Sequence, residues 1–191
     1  MAVNRNSGEV YVFSEGKARK MLAIKLAERQ RVDAFSVTDD TLLCVLNDPS
    51  SSKQGVWVYS LEDNEGRALC KVSTDHDEFS CIEALGEEYI LTGKTRVVLL
   101  DRTGEIISDV RVPKRYLMHK GIARINDDLC FVNGALIDFG RGEYIAHDIP
   151  CSSTTSIFCA LYETVYGITR HNSLIHAQSN QFHCALREPD R

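Results

Sequence analysis

The chain has 191 residues, 43% of them hydrophobic and 26% charged, so it can bury a core of single-domain size and is not expected to be disordered. Its formal net charge of −5 argues against a general nucleic-acid binder, which would carry a basic excess to neutralise phosphates. No stretch approaches the roughly 20 apolar residues that cross a bilayer, and the first eight residues lack the apolar run of a secretory signal. We therefore expect a cytoplasmic protein with no membrane partner.

The cysteines are odd in number, contain no CxxC pair, and fall mostly within apolar runs. In such runs a free cysteine behaves as a small hydrophobic residue. We expect reduced core cysteines, without disulfides or bound metal. The set is Cys44, Cys70, Cys81, Cys130, Cys151, Cys159 and Cys184.

Two classes of apolar hairpin alternate along the chain. One class has five copies, each with a turn rich in Gly, Asn, Ser or acidic residues, which supply the positive φ angles of tight turns. The other class has four copies with acidic turns. The first class covers residues 10–24, 56–72, 97–112, 136–149 and 174–186, and the second covers residues 34–44, 81–91, 121–132 and 156–168.

The repeat has the period of a four-stranded propeller blade. Trp57, Val98, Ile137 and Ile175 are spaced by 41, 39 and 38 residues, against the roughly 40 to 45 of such a blade. The chain thus resembles the WD-repeat and kelch-like β-propeller families, although the Gly-His pair and terminal Trp-Asp of true WD repeats are absent. The resemblance implies an all-β, β-propeller-like repeat of about four to five four-stranded blades, incomplete or closed atypically. We expect one domain over residues 1–191, with repeat units at residues 8–29, 32–75, 79–113, 119–151 and 155–188.

The segment from Gly16 to Arg31 also contains strong helix formers, which favour a helix locally. Its position in the repeat instead predicts a strand over Lys20 to Leu26. We also expect Trp57 to be buried and to help pack neighbouring blades together.

Naming the strands of one blade A to D from the axis outward, the first hairpin is a C/D pair without an A/B pair of its own. An unpaired strand edge of this kind recruits other chains unless it is covered, so oligomerisation through the edge is one possibility. A different packing of the N-terminus is the alternative.

The repeat places the A/B and C/D turns on one face and the B/C and D/A connections on the other. The turns are acidic, and an acidic face speeds association with a basic partner. Acidic residues are also ordinary in solvated turns. The candidate binding residues of these turns are Asp39, Asp40, Glu87, Glu88, Asp127 and Asp128.

The opposite face is predicted to be basic, with Lys53, Lys94 and Arg96 among its residues. Its strongest contact candidate is the connection around residues 113–119, because Arg, Tyr and Met are enriched at interfaces. Packing between blades is the alternative for its apolar side chains. The candidate residues are Lys114, Arg115, Tyr116 and His119. The long segment Asn47 to Gly55 is predicted to be an irregular loop.

The motifs of catalysis are weak. The segment Leu91 to Thr95 resembles the end of a P-loop. Gly86 is two residues too distant for the first glycine of that motif, and a strand is predicted to follow where the motif requires a helix. A B/C hairpin turn is therefore favoured. The Asp75-His76-Asp77 loop could bind a cation or serve a hydrolase, and a solvated loop is the alternative. His176 and His183 fall in opposite strands of one predicted hairpin, where a cross-strand pair is favoured over a zinc site. No cofactor is expected.

These observations favour a non-enzymatic protein-binding module, of which an inhibitor or immunity-type protein is one form. A small-ligand or carbohydrate-binding propeller is the second hypothesis, weakened because lectin-like propellers usually repeat an aromatic in every blade. A hydrolase using the Asp75-His76-Asp77 loop is the third.

Overall fold

The structure is a computed structural model, and it describes the backbone over nine ranges, of which the last three are described without side chains. These ranges are residues 1–38, 40–63, 65–74, 77–113, 122–132, 135–145, 155–161, 164–169 and 174–178. All regular secondary structure in them is β-strand, which confirms the all-β prediction. Within the same residues there is no helix long and apolar enough to cross a membrane.

The strands form five antiparallel sheets in succession along the chain. Sheet 1 contains β1 (Ala2–Val3), β2 (Glu9–Ser14) and β3 (Lys17–Ala23). Sheet 2 contains β4 (Val32–Val37), β5 (Thr41–Asn47), β6 (Lys53–Ser60) and β7 (Gly66–Ser73). Sheet 3 contains β8 (Cys81–Leu85), β9 (Glu88–Thr92), β10 (Arg96–Asp101) and β11 (Ile106–Arg111). Sheet 4 contains β12 (Ile122–Arg124), β13 (Leu129–Val132), β14 (Ala135–Asp138) and β15 (Glu143–Ile145). Sheet 5 contains β16 (Thr155–Leu161), β17 (Thr164–Thr169) and β18 (Leu174–Gln178).

Each sheet is a meander in which spatial order follows chain order, as the hairpin repeat predicted. The predicted strand at Lys20 is confirmed, since β3 runs over Lys17–Ala23 and pairs with β2. The local helix propensity is overridden by this pairing and by burial of Leu22.

The short strand β1 was missed, because the first predicted repeat unit began at residue 8. It pairs Ala2 with Tyr11 and Val3 with Val10. The turn that makes this possible is closed by Gly8, whose N–H donates to the Asn4 carbonyl at 2.9 Å and whose φ is +71°. Such a turn has no hydrophobic alternation, so periodicity alone does not reveal it.

Contacts divide the chain into two compact units. Unit 1 comprises residues 1–93 and 99–107, and unit 2 comprises residues 94–98 and 108–191. In unit 1, Val10 and Leu22 of sheet 1 join Val32, Leu42 and Leu46 of sheet 2 in one core cluster. The description of all 191 residues as one domain remains a prediction.

Unit 2 has its own buried residues, where β13 and β14 are buried along their whole length and are apolar except for Asp138 at the end of β14. Strand pairing sets Cys130 against Ile137 and Phe131 against Leu136, all of them without solvent exposure. Strands buried on both faces need no polar alternation, which explains their continuous apolar sequence.

A buried polar network ties three parts of unit 1 together. The Gln54 side chain on β6 accepts from the Phe79 N–H at 2.7 Å and donates to the Phe79 carbonyl at 3.1 Å. It also donates to Asp33 at 2.7 Å. Asp33 in turn pairs with Arg31 at 2.8 Å and with Arg5 at 3.4 Å. The network joins the turn after β1, the start of sheet 2 and the entry to sheet 3.

One predicted detail of sheet 2 is wrong. The irregular segment is shorter than Asn47 to Gly55, because β5 continues to Asn47 and β6 begins at Lys53. Asp48 makes the tight connection possible by accepting hydrogen bonds from the Ser50 N–H and hydroxyl. A carboxylate that closes a turn in this way replaces a longer loop.

Trp57 was predicted to be buried and to help pack blades together; it is partly buried and packs against the core cluster that sheets 1 and 2 share. Its indole stacks on Tyr59, with ring centroids 6.2 Å apart, and lies along the strand over Gly55. A Cβ at Gly55 would be 3.1 Å from the indole nitrogen. The indole therefore follows its own strand and leaves part of its surface to solvent.

Replacing Gln54 by leucine is expected to reduce the free energy of unfolding by about 2 kcal/mol or more, because Phe79 and Asp33 lose buried hydrogen-bond partners. Urea unfolding followed by the fluorescence of Trp57, the single tryptophan, reports on sheet 2. The control is Gln30→Leu, which removes a hydrogen bond to the Ala27 N–H at a position only half-buried. Equal loss in both variants would contradict a special role for Gln54.

Candidate functional site

Two of the predicted acidic turns converge on one arginine in unit 1. Arg102, in the β10–β11 turn, binds both carboxylate oxygens of Glu87 at 2.8 and 2.9 Å. It also donates to the Gly86 carbonyl at 3.4 Å. A planar guanidinium that forms two parallel contacts fixes orientation as well as charge. The β8–β9 turn is thereby linked to the β10–β11 turn.

Asp40, in the β4–β5 turn, lies in the same neighbourhood. Its carboxylate accepts from the Thr41 hydroxyl at 2.8 Å and from the Thr38 hydroxyl at 3.4 Å. The Thr41 hydrogen bond is the main cause that lowers the pKa of Asp40, and the positive charge of Arg102 contributes in the same direction. The Leu61 N–H donates to the Asp40 carbonyl at 2.8 Å, which fixes this turn to the end of β6.

These turns surround a cavity of about 400 Å³. Its accessible apolar surface comes from Ala84 and Tyr89, since Leu43 is fully buried, and its polar surface comes from hydroxyl, carboxylate and guanidinium groups. Ala84 and Tyr89 are cross-strand partners in β8 and β9, so they present the same face of sheet 3. The full lining is Thr38, Asp40, Thr41, Leu43, Ala84, Gly86, Tyr89 and Arg102. We call this space the turn cavity.

The turn cavity is bordered by a second depression that shares Thr41 and lies over the β6–β7 turn. This turn exposes Asp63 and Glu65, and Arg67 follows at the start of β7. Arg67 donates to the Arg102 carbonyl at 3.3 Å. Carboxylates therefore outnumber guanidinium groups around these turns, with Asp40, Asp63, Glu65 and Glu87 against Arg67 and Arg102.

The remaining acidic candidates are placed differently. Glu88 is half-buried on β9, where its backbone pairs with Leu85. Asp127 and Asp128 are exposed in the β12–β13 turn of unit 2. There Arg124 donates to the Asp127 carbonyl at 2.8 Å. A common acidic face that includes both units remains a prediction.

Several candidates of the two faces lie outside the described residues: Asp39, Lys114, Arg115, Tyr116 and His119. Arg96, predicted on the basic face, is instead buried and paired with Asp109 on the neighbouring strand. Its Nε donates to the carboxylate at 2.7 Å, and a second guanidinium nitrogen contacts the other oxygen. A buried guanidinium needs such a partner, and the sequence gives no local sign of it.

The catalytic candidates are poorly supported by the described residues. Asp75 and His76 lie outside them, and Asp77 is buried with its carboxylate over Gly93, where a Cβ would lie 2.9 Å away. The predicted B/C hairpin turn after Thr92 is confirmed, since β9 and β10 are neighbours in sheet 3. The backbone of His176 lies in β18, and His171, His183 and Cys184 are outside the described residues.

Four cysteines are described, and all are free thiols. Cys44 and Cys130 are fully buried, and Cys70 and Cys81 are half-buried. Burial raises the pKa of Cys44 to about 12, so its thiol stays protonated at neutral pH. The prediction that these positions belong to the core is confirmed for Cys44 and Cys130.

Arg102 and Tyr89 were not among the predicted site residues. The sequence places Arg102 in the C/D turn of the hairpin over residues 97–112, so it lies as a cation on the face predicted to be acidic. Tyr89 follows the acidic pair Glu87-Glu88 at the start of an apolar strand, where it looked like an ordinary core residue. Reading the turns for cations as well as anions would have found Arg102.

Comparison of the chain with protein-family models and with curated proteins gives no match. Among solved structures it is similar to the Neurospora crassa Pan2 WD40 domain, with 12% identity and a TM-score of 0.56 over 90% of this chain and 56% of that one. It is similar to the computationally designed protein Ika4, with 10% identity and a TM-score of 0.55 over 77% and 90% of the two chains. It is also similar to a Bacteroides caccae protein of unknown function, with 11% identity and a TM-score of 0.54 over 92% of this chain and 73% of that one. These similarities concern the fold, and they confirm the β-propeller architecture without selecting a family.

Replacing Thr41 by valine is expected to raise the pKa of Asp40 towards 3.8, because the Thr41 hydroxyl is the main group that lowers it. A depressed carboxyl pKa stabilises the fold above the unfolded pKa, and this contribution is lost as pH falls through the folded pKa. Titration of the Asp40 carboxyl carbon by NMR between pH 2 and 6 measures the shift. Thr38→Val, which removes a longer hydrogen bond, should raise the pKa less. A pKa unchanged in Thr41→Val would contradict this account.

Proposed function

We propose that this chain is a non-enzymatic protein-binding module that recognises a basic partner through the turns around Arg102. The observation that carries the proposal is the turn cavity, in which Asp40 and Glu87 are held in fixed positions beside an apolar surface. Interface centres combine apolar surface with a few placed polar groups, and both are present here.

The fold supports a role in which the turns make contact and the sheets hold them in place. Short turns on a rigid β scaffold carry binding residues at low cost in conformational entropy. Asp40 is restrained by two threonine hydroxyls and Glu87 by Arg102, so neither needs to be ordered on binding.

The excess of carboxylates suits a partner with a basic surface. Complementary charge speeds diffusional association and disfavours acidic partners. A module of this kind acts by occupying its partner, and we propose an inhibitor or immunity-type protein as its specific form. The edge strand β3 offers a different route, since a partner strand could extend sheet 1 by main-chain hydrogen bonding.

Reversing the charge of two turn residues, Asp40→Lys with Glu87→Lys, is expected to abolish low-salt capture of the protein's partner from its native host. The control, Glu28→Lys with Glu78→Lys, changes the net charge by the same amount at exposed residues in the connections that precede β4 and β8. Capture by the wild-type chain and by the control, with loss in the turn variant, supports the proposal. Quantitative mass spectrometry of the three captures provides the measurement.

Salt separates the acidic turns from the strand edge. Association through the turns should slow as salt approaches roughly 1 M, where the Debye length falls to about 3 Å. A partner captured equally by all three proteins and insensitive to salt would contradict the proposal and favour β3.

A further inference from the structure

We infer that the turn cavity is a socket for one arginine or lysine side chain of the partner. The inference rests on the proposed function and narrows it from a basic surface to a single inserted side chain. Its basis is the combination of an apolar surface, an available carboxylate and an engaged arginine in one small space.

The two kinds of lining match the two parts of a long basic side chain. Ala84 and Tyr89 can cover an aliphatic stem, and Asp40 can bind the charged end. Lysine and arginine bury their stems along apolar surface while the charged group finds a polar one. A volume of about 400 Å³ lies near the lower end of the roughly 300–1,000 Å³ typical of ligand pockets, which suits one side chain.

The charges of the cavity favour a cation over an anion. Arg102 is already paired with Glu87 and hydrogen-bonded to the Gly86 carbonyl, so its positive charge is offset within the cavity. Asp40 receives hydroxyl hydrogen bonds but forms no ion pair within the described residues. An ionised carboxylate has about four acceptor positions, which leaves room for a donor from the partner.

Tyr89 provides a second acceptor and an aromatic ring. It is 9% exposed, lines the cavity, and its hydroxyl makes no hydrogen bond within the described part of the chain. Its hydroxyl oxygen can therefore accept a hydrogen bond from a bound donor. Guanidinium groups also bind favourably over tyrosine rings, which makes arginine the better occupant of the two.

The test uses two peptides that differ in one functional group. Acetyl-Gly-Arg-Gly-amide carries the guanidinium, and the same peptide with citrulline is nearly isosteric but uncharged. Titration into the isotope-labelled wild-type protein, followed by backbone amide NMR, should show saturable shifts at Thr41, Leu61 and Tyr89 for the arginine peptide. The citrulline peptide should bind up to about fivefold more weakly, because it cannot form an ion pair with the exposed Asp40 carboxylate.

Variants locate the interaction. Asp40→Asn should reduce affinity for the arginine peptide by a similar factor, and Ala84→Met should reduce it by filling the cavity without changing charge. Asp63→Asn removes an equal charge from the neighbouring turn and should leave the affinity within about twofold. Unchanged amide spectra away from the substitution show that each variant remains folded.

Equal affinity for the two peptides, shifts confined to other surfaces, or equal effects of Asp40→Asn and Asp63→Asn would each overturn the socket. The outcome is separable from that of the proposed function. Capture that depends on Asp40 and Glu87, without peptide binding, would leave the function standing and remove the socket. If the arginine peptide binds, but the turn variant captures the partner as well as the wild-type chain does, the socket would stand and the proposed function would be contradicted.

Discussion

The Gln54 side chain holds unit 1 in the arrangement on which its other features depend. By bonding both main-chain groups of Phe79, it fixes the segment that leads into β8 relative to β6. Asp33 extends the connection to the start of β4, and Arg5 extends it to the turn after β1. Strands β4 and β8 are in contact, so their far ends, which carry Asp40 and Glu87, inherit this spacing. The positions of the turns around the turn cavity therefore depend on the hydrogen bonds at the opposite ends of β4 and β8.

This dependence explains why a polar residue occupies a core position. An apolar side chain at 54 would pack equally well, but it would leave the Phe79 amide and carbonyl without partners. A satisfied buried amide specifies one alignment of two sheets, whereas apolar contacts tolerate sliding. The cavity needs such alignment because its lining residues come from both sheet 2 and sheet 3.

The surface around Arg102 shows that charge counting along the sequence is an incomplete guide to a binding face. Glu87 adds a negative charge to the sequence count, yet in the fold its carboxylate forms an ion pair with Arg102. Asp40 keeps its charge available because hydroxyl groups stabilise it without neutralising it. The two acidic turns thus present their carboxylates differently: Glu87 is paired with an arginine, and Asp40 is held by hydroxyl groups.

The sequence predicted what depends on neighbours along the chain. Hairpins, their order and the location of Asp40 and Glu87 in turns all follow from alternation and turn residues, because strand pairing within a meander is local. Arg102 and Arg96 were misjudged because a long side chain reaches partners that no periodicity records. β1 was missed because two paired residues are too few to form a recognisable pattern. The stacking of Trp57 on Tyr59 was not predicted, because it is decided by side-chain packing.

The fully buried thiols have a consequence for how the protein opens. Cys44 lies in unit 1 and Cys130 in unit 2, and neither is exposed to solvent. With its pKa raised to about 12, the Cys44 thiol is chemically inert while sheet 2 is intact. Cys44 can be alkylated only while sheet 2 is transiently open, so the rate of alkylation measures the local unfolding of that sheet. Each unit thus contains a fully buried cysteine whose alkylation would report local unfolding of that unit, and mass spectrometry can distinguish the two sites.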